Sequence, residues 1–355
     1  MRGKSIVVMI TAAAVALSGC VSSSGGNSTS ASGEPLVAIG AGLQGPSGTT
    51  ASVFATGVKN VSAFAFDPDG QLWAATASYD DTGSDHVYLI TKPGATPVKV
   101  LSGLHTPLGL LWFRDALYVA SKGRVDAYRA FNGTKFASHT TVLTLPDGVG
   151  DSNQLVVTSD GHMLMGVSAA CDHCVPDTEY SAAIISFLPD GSDLRIYAKR
   201  VRAGIGLTYY PGTTDLFVTM NQRDDLGDAT PGDWLAVVHD GDDWGFPACY
   251  GQSGASGCSA VPEPTAVLDR HSAVGGVAIV TGQLGVSVGT AALVAEWSDG
   301  KVQRVALTKS GTQYTGTVHP FLTGLKNPMP VTLSPAGALI VGDWATGIVY
   351  AISAT

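Results

Sequence analysis

A run of aspartates near the middle of the chain has the residue types of a metal site. Calcium is held by about six to eight oxygen atoms, which carboxylates and backbone carbonyls of a bent loop supply. Gly227 and Gly232 interrupt the run and allow tight backbone turns. The spacing is not that of an EF-hand, so an acidic, solvated loop whose aspartates cap turns is the alternative. We predict calcium ligands at four carboxylates within ten residues: Asp224, Asp225, Asp228 and Asp233.

Four cysteines are candidates for disulfide bonds. Cys171 and Cys174 enclose His173, a spacing that redox motifs and zinc sites share. Redox pairs usually open a helix of a thioredoxin-like unit, which nothing here resembles, and a zinc site would need ligands beyond His173. We therefore expect disulfides that staple long loops, formed locally as Cys171–Cys174 and Cys249–Cys258, although spacing alone leaves the connectivity open.

The elements that position these residues follow from a phrase that recurs six times. Each copy has a few apolar residues, a tight turn built on Pro-Asp-Gly or a variant, and then an alternating apolar strand. Asp-Gly and its equivalents supply the left-handed residues that a hairpin turn needs. The copies begin 45 to 70 residues apart, at residues 64–73, 109–119, 155–161, 206–218, 276–295 and 331–341.

This period predicts an all-β fold, a six-bladed β-propeller with four-stranded antiparallel blades. Alternation turns half of the side chains of each strand toward a neighbouring blade, so a single blade cannot bury both of its faces and the blades must stack in a ring. Two further short phrases, residues 86–90 and 183–187, are expected to be outer strands. A β-sandwich or a pair of barrels is the alternative.

The first 34 residues have the pattern of an export signal and a tether. Arg2 and Lys4 precede an apolar stretch over residues 6–17, and small residues lead to Cys20, as in a lipoprotein signal. An uncleaved anchor helix is the alternative, but the stretch is shorter than the ~20 residues that span a bilayer. We predict a signal peptide over 1–19, a lipidated Cys20 with a Ser/Gly-rich tether over 20–34, and the propeller over 35–355. The protein is then exported and held on the outer face of a bacterial membrane by its lipid only.

The composition agrees with a propeller and argues against nucleic acid as a partner. Charged residues make up 14% of the chain, below the roughly 25% of an average globular protein, and the chain has 44 glycines. The net charge is −9, and the sequence has no run rich in Lys and Arg. No protein partner is indicated.

The central part of the chain resembles the glucose/sorbosone dehydrogenase family. The resemblance rests on residues 221–228, 231–233 and 245–251, which match an Arg-Asp-x-Leu-Gly-Asp run, a Pro-x-Asp phrase and a Gly-Trp-Pro-x-Cys-Tyr-Gly turn. Fragments at residues 171–174, 189–197 and 271–273 follow the same order. The resemblance covers roughly residues 104–352, and its central run is fairly specific.

This resemblance implies a propeller that binds pyrroloquinoline quinone (PQQ) and calcium and oxidises a sugar at its anomeric carbon. A histidine base takes the hydroxyl proton, and calcium polarises the quinone. Because PQQ is a tricarboxylate, cations must offset its charge. By residue matching, Arg202, Arg223 and His271 become the cofactor-binding candidates; ordinary surface or structural roles are the alternative for each.

Several phrases depart from the family pattern at the presumed site. The family's catalytic histidine has no counterpart in residues 148–154, where Asp151 is the one group that could accept a proton. The Arg-Asn-Pro phrase is reduced to Arg202-Ala203-Gly204, an arginine-bearing insertion after Trp297 is missing, and the Pro-x-Asp-Glu-Leu phrase has lost a carboxylate. These changes indicate that activity has drifted or been lost.

Three functions are compatible with these residues. The first is a PQQ- and calcium-dependent dehydrogenase of an aldose or a similar sugar. The second is a catalytically degenerate propeller that binds a sugar or another small ligand at its mouth. A metal-dependent lactonase is ranked last, because glutamates after Glu34 are scarce. Tryptophan faces can stack on sugars, but most of the tryptophans lie within or beside strand phrases, where packing is the simpler explanation. Trp234 and Trp344 are predicted to stand in loop phrases near the mouth, so a sugar-facing role stays open for them.

Overall fold

The computed structural model describes residues 35–250, 253–254 and 258–355. The predicted signal peptide, the lipidated Cys20 and the tether lie outside the described residues. The chain first forms a small hairpin, β1 (Val37–Gly40) and β2 (Leu43–Gly45), and then β3 (Thr49–Ala55). Two single-turn 3-10 helices, Gly227–Ala229 and Cys258–Ala260, stand among the strands of the described part. Within that part, no helix has the length and apolar character that a membrane span requires.

Six four-stranded antiparallel sheets follow, numbered here as blades 1 to 6. A short hairpin, β19 (Cys249–Tyr250) and β20 (Ser253–Gly254), is inserted in blade 4. The blades are: blade 1, β4 (Val61–Phe66), β5 (Leu72–Thr76), β6 (Asp85–Ile90), β7 (Val98–Leu104); blade 2, β8 (Gly109–Phe113), β9 (Ala116–Ser121), β10 (Arg124–Phe131), β11 (Phe136–Thr144); blade 3, β12 (Ser152–Val157), β13 (Met163–Val167), β14 (Ala183–Phe187), β15 (Arg195–Lys199); blade 4, β16 (Gly204–Tyr209), β17 (Leu216–Met220), β18 (Trp234–Val238), β21 (Ala266–Val267); blade 5, β22 (Val274–Thr281), β23 (Thr290–Glu296), β24 (Lys301–Ser310), β25 (Gln313–Leu322); blade 6, β26 (Pro328–Leu333), β27 (Leu339–Asp343), β28 (Ile348–Ala354) and β3.

The predicted propeller is confirmed, and the sandwich and double-barrel alternatives are wrong. Five of the six recurring phrases lie on the first two strands of a blade, and the phrase at residues 155–161 covers the end of the first strand of blade 3 and the turn after it. The two phrases expected to be outer strands are the third strands β6 and β14. The ring closes in blade 6, where β3 pairs with β28 in a register running from Ala55 opposite Val349 to Thr49 opposite Ala354.

The first turn shows why the recurring phrase folds as a hairpin. One carboxylate oxygen of Asp67 accepts hydrogen bonds from the backbone N–H groups of Asp69 (3.0 Å) and Gln71 (2.8 Å). The other oxygen accepts from the indole N–H of Trp73 at 2.9 Å. Gly70 adopts the left-handed conformation, with φ of 76°. The aspartate thus satisfies the donors of the turn while the glycine reverses the chain.

The buried core is divided among the contacts between neighbouring blades. Six clusters of buried apolar side chains each combine residues of two adjacent blades, including blade 6 with blade 1. The second strand of blade 3 and the inner strand of blade 4 approach closely, where a Cβ atom on Gly166 would lie 2.0 Å from the carbonyl oxygen of Gly204. The ring therefore buries the faces that an isolated blade would expose.

Candidate ligand site at the mouth of the propeller

The loops that precede the inner strands enclose a cavity of about 650 Å³ at one end of the central axis. This volume falls within the roughly 300–1,000 Å³ of small-molecule sites. Leu108, Ile205 and Met329 also line a second cavity of about 250 Å³ between the inner strands. These three apolar side chains therefore separate the mouth from the inner channel. Residues from all six blades contribute to the mouth cavity, which makes it the candidate functional site.

Asp151 lies in this cavity, at the start of the inner strand of blade 3. Its backbone carbonyl accepts from Ser168 N–H at 2.9 Å and from the Asn153 side-chain amide at 3.2 Å. Among the described residues, its carboxylate has no hydrogen-bond or ion-pair partner. Burial raises its pKa, and the charge of Lys122 opposes that shift. Asp151 thus lies where a group acting on a ligand would have to lie, and its catalytic role stays a prediction.

Arg202 also lines the cavity, but its donors are already used. Its Nη2 atom lies 2.7 Å from Oδ1 of Asp172, and its Nε atom lies 2.9 Å from the Asp172 carbonyl oxygen. Its Nη1 atom donates to the Asn221 carbonyl at 3.1 Å. The Arg202 side chain is 15% exposed. This guanidinium therefore links the loop that carries Asp172 to the loop that carries Asn221. Both loops belong to the rim, which is the set of loops around the opening of the cavity.

The other two cofactor candidates do not line the cavity. Arg223 forms a two-pronged ion pair with Asp225, at 2.6 and 2.5 Å, and its guanidinium lies 5.0 Å from the Tyr250 ring centroid. His271 contacts Asp224 at 2.6 Å and the Gly227 carbonyl oxygen at 3.0 Å, and these two contacts raise its pKa. Neither is among the residues that form the cavity wall.

The aspartate run predicted to bind calcium is distributed among separate partners. Asp224 and Asp225 pair with a histidine and an arginine, as described. Asp233 is buried and accepts from Gln222 N–H (2.7 Å), Ser272 Oγ (3.0 Å) and Val274 N–H (3.3 Å), and burial raises its pKa. In the described part of the chain, no three of the four carboxylates converge closely enough to share a metal ion.

The one convergent acidic cluster among the described residues was not predicted. The carboxylate oxygens of Asp269, Glu296 and Asp299 lie within 4.8 Å of one another. The Lys301 ammonium sits among them, 3.3 Å from Glu296, 3.2 Å from Asp299, and in contact with Asp269. Glu296 is fully buried, and burial raises its pKa to about 7 despite the opposing charge of Lys301. The rarity of glutamate was the only signal in the sequence, because these residues meet only when blade 5 folds.

Aromatic side chains form part of the cavity wall. Trp297 and Trp344 meet edge to face with ring centroids 5.7 Å apart, and the Trp344 indole N–H donates to the Ala77 carbonyl at 2.8 Å. Tyr79 lines the cavity with a left-handed backbone (φ of 61°) and is 50% exposed. Desolvation of the hydroxyl, and then the nearby charge of Asp151, raise its pKa. The predicted location of Trp344 at the mouth is confirmed.

The same prediction for Trp234 is wrong. Trp234 begins the third strand of blade 4, is 2% exposed, and stacks on Trp244 with ring centroids 4.5 Å apart. It fills the core between blades 3 and 4. The loop that precedes it ends one residue earlier than the sequence pattern indicated.

Both expected disulfide bonds are present, as Cys171–Cys174 and Cys249–Cys258. The first closes a four-residue loop that contains Asp172, the partner of Arg202, and Cys171 itself lines the cavity. The Cys171–Cys174 bond therefore constrains the loop on one side of the rim.

Comparison with known proteins finds structural likeness and no sequence match. No protein-family model matches the chain, and no curated protein matches its sequence. A carbohydrate-active enzyme of family AA12 from Trichoderma reesei aligns with a TM-score of 0.71 and 15% identity, over 88% of this chain and 98% of that one. The holo form of the PQQ domain of pyranose dehydrogenase from Coprinopsis cinerea has a TM-score of 0.69 and 15% identity, over 88% and 97% of the two chains.

A third structure extends this likeness to an aldose-oxidising enzyme. The PQQ-bound aldose sugar dehydrogenase from Streptomyces coelicolor aligns with a TM-score of 0.67 and 18% identity, over 87% of this chain and 99% of that one. The alignments span nearly the whole length of each of the three structures, so the likeness includes every blade. The chain thus has the β-propeller fold of known PQQ-containing sugar dehydrogenases.

Proposed function

We propose that this chain is a ligand-binding propeller that takes a small polyhydroxylated molecule, such as a sugar, in its mouth cavity. The observation that carries the proposal is the pairing of aromatic walls, Trp297 and Trp344, with the polar groups of Asp151, Asn153 and Ser168 in one cavity. A sugar presents C–H faces that pack on aromatic rings and hydroxyls that bond to carboxylates and amides. The structural likeness to sugar dehydrogenases supports the same class of ligand.

The charge of the cavity does not fit PQQ. Three carboxylates of the cofactor need cationic partners. Among the described residues that line the cavity, Arg202 is the only cationic side chain, and Asp172 already neutralises it. Asp151 adds a negative charge to the same wall. No step through PQQ is therefore derived for this chain.

Calcium- and PQQ-dependent oxidation of an aldose is the second candidate function. It is supported by the fold and by Asp151, whose pKa is raised by burial and thereby moves toward the range of a general base. In this function Asp151 would accept the proton of the sugar hydroxyl. Arg202 would have to leave Asp172 to contact the cofactor.

Titration calorimetry of the purified chain distinguishes the two functions. The protein is kept in a detergent without a sugar headgroup and titrated with aldoses, and separately with PQQ with and without calcium. The binding function predicts heat with one or more sugars and none with PQQ at high micromolar concentration. Calcium-dependent PQQ binding followed by sugar-dependent dye reduction would instead establish the dehydrogenase. Absence of heat with every sugar and with PQQ contradicts both functions.

A tryptophan variant tests whether the mouth cavity is the binding site. Trp344→Ala should reduce the affinity for a bound sugar at least tenfold, because it removes an aromatic face from the wall. Tyr210→Ala is the matched control, since Tyr210 packs against Tyr314 away from both axial cavities. Equal loss in both variants would indicate a general defect rather than a lost contact.

We also propose that the protein is exported and anchored by lipid at Cys20, with the propeller over residues 35–355 outside the membrane. The two disulfides support an oxidising compartment. Metabolic labelling with palmitate should mark the protein, and Cys20→Ser should remove the label. Label that persists in the variant would contradict the anchor.

A further inference from the structure

An unpaired carboxylate in the mouth cavity carries a further inference. Asp151 lines the cavity and is half-buried, and its partial removal from water makes its negative charge costly. Carboxylates that are withdrawn from water are ordinarily paired with a cation or with several donors. Among the described residues, no side chain or backbone N–H donates to this carboxylate.

The nearby cations are engaged elsewhere. Lys122, whose charge acts on Asp151, donates to Asp81 at 3.1 Å, and neither residue lines the cavity. Arg202 is held by Asp172 at 2.7 Å. The lining residues of the cavity thus carry two carboxylates and one guanidinium, and the carboxylate left over is Asp151.

The polar groups around Asp151 are also short of donors. Asn153 and Asn221 line the cavity, and the side-chain oxygen of each is buried without a hydrogen-bond donor. The orientation of the Asn153 amide is fixed because its nitrogen faces two backbone oxygens, of Asp151 at 3.2 Å and Gly166 at 3.4 Å. An excess of acceptors over donors favours a ligand group that only donates.

The aromatic wall favours the same kind of group. Trp297, Trp344 and Tyr79 line the same cavity as Asp151. The π-face of an aromatic ring attracts a cation lying within about 6 Å of its centroid. A protonated amine offers three N–H donors and no acceptor, together with the positive charge that Asp151 lacks.

We propose that the ligand of the mouth cavity is a polyhydroxylated amine, such as an amino sugar, whose protonated nitrogen pairs with Asp151. This inference rests on the proposed binding function and names the ligand class more closely. A bare calcium ion is the competing source of positive charge, but it requires about six to eight oxygen ligands.

Sugars that differ at one substituent test the inference. Calorimetry at pH 7 compares glucosamine, N-acetylglucosamine and glucose on the full chain. We expect glucosamine to bind at least tenfold more tightly than the two uncharged sugars. Asp151→Asn, which keeps the size of the side chain, should abolish this preference, so that glucosamine binds no more tightly than glucose to the variant. Asp147→Asn is the matched control, because it removes an exposed carboxylate of the same loop that does not line the cavity, and should leave the preference unchanged.

Each result either supports or overturns the inference. Equal affinity for the three sugars in the unsubstituted protein overturns the inference and leaves the binding function standing. Heat with calcium chloride that Asp151→Asn abolishes, without a preference for glucosamine, assigns the charge to a metal and also overturns it. Absence of binding to every sugar refutes the binding function and the inference together.

The melting temperature of Asp151→Asn shows whether Asp151 serves a ligand or stabilises the fold. If Asp151 serves a ligand, removing its unpaired charge should leave the melting temperature unchanged or higher. A lower melting temperature in Asp151→Asn would show a structural role and overturn the inference.

Discussion

Replacement of Lys301 by methionine removes the ammonium from between Asp269, Glu296 and Asp299 while keeping most of the side-chain length. The native ammonium is 21% exposed and Glu296 is fully buried, whereas Asp269 and Asp299 are 50% and 34% exposed. Removing one partner of a buried ion pair costs about 3–5 kcal/mol, because the charge that remains is desolvated and unpaired. Since water reaches two of the three carboxylates, we expect the low end of that range, about 3 kcal/mol.

At roughly 2 °C per kcal/mol for a chain of this size, the variant should melt about 6 °C below the native protein. Guanidinium unfolding followed by circular dichroism at pH 8 measures the free energy directly. Lys122→Met is the control, because Lys122 and Asp81 are 50% and 40% exposed and such a surface pair contributes only about 0–1 kcal/mol. A loss below 1 kcal/mol for Lys301→Met would refute the assignment of this ammonium as the counter-charge of the cluster.

The pH dependence gives a second test of the same cluster. Burial raises the pKa of Glu296 to about 7, above the ordinary value of 4.5, so the folded protein binds this proton more tightly than the unfolded chain. Stability therefore falls as the pH rises from about 4.5 through 7. Protonation of Glu296 also relieves the repulsion among the three carboxylates in Lys301→Met, so the loss of unfolding free energy in this variant should be smaller at pH 5 than at pH 8.

Calcium gives a third test of the cluster. Because the three carboxylates are close enough to share a metal, millimolar calcium should recover part of the lost free energy in Lys301→Met and should not change the native protein.

Three further predictions concern the scaffold. Gly166→Ala should lower the free energy of unfolding by at least about 2 kcal/mol in guanidinium titrations, because the new Cβ would clash with the Gly204 carbonyl 2.0 Å away; an unchanged midpoint would contradict the close contact of blades 3 and 4. Trp234→Ala should cost about 3–5 kcal/mol in the same titration, since it empties a buried site; a small effect would contradict its burial. The double change Cys171→Ser and Cys174→Ser should cost about 2 kcal/mol and weaken ligand binding in calorimetry, as it frees one side of the cavity rim; unaltered affinity would show that the rim holds its shape without the bond.

The fold could be predicted because its signals are local. A turn such as the one at Asp67 and Gly70 contains its own hydrogen-bond acceptor and its own left-handed residue, so the sequence pattern marks it without reference to distant residues. The regular spacing of six such turns is then compatible with few fold architectures, of which the six-bladed propeller is one. The disulfides were predictable for the same reason, since each pairs cysteines that are close in sequence.

The site was predicted less completely because its contacts are long-range. Adjacent aspartates suggested one metal site, yet Asp224 pairs with His271, 47 residues away, and Asp233 receives a donor from Ser272, 39 residues away. The cluster of Glu296 and Lys301 forms around Asp269, which lies in the preceding blade connection. Only the placement of Asp151 beside the third inner strand came from the repeat itself.

The strand pairing that closes the ring also sets the order in which the protein can fold. Blades 1 to 5 each consist of strands that follow one another, so each can form as its own segment is synthesised. Strand β3 is made before any of them, but its partner β28 comes last of the described strands. A nascent chain that lacks Ile348–Ala354 therefore keeps an open strand edge on β3 and an unsealed contact between blades 6 and 1. Such contacts between distant segments form slowly and leave edges open to aggregation. Sealing of the propeller is consequently a late event, and a chaperone that covers β3 until then would raise the yield of folded protein.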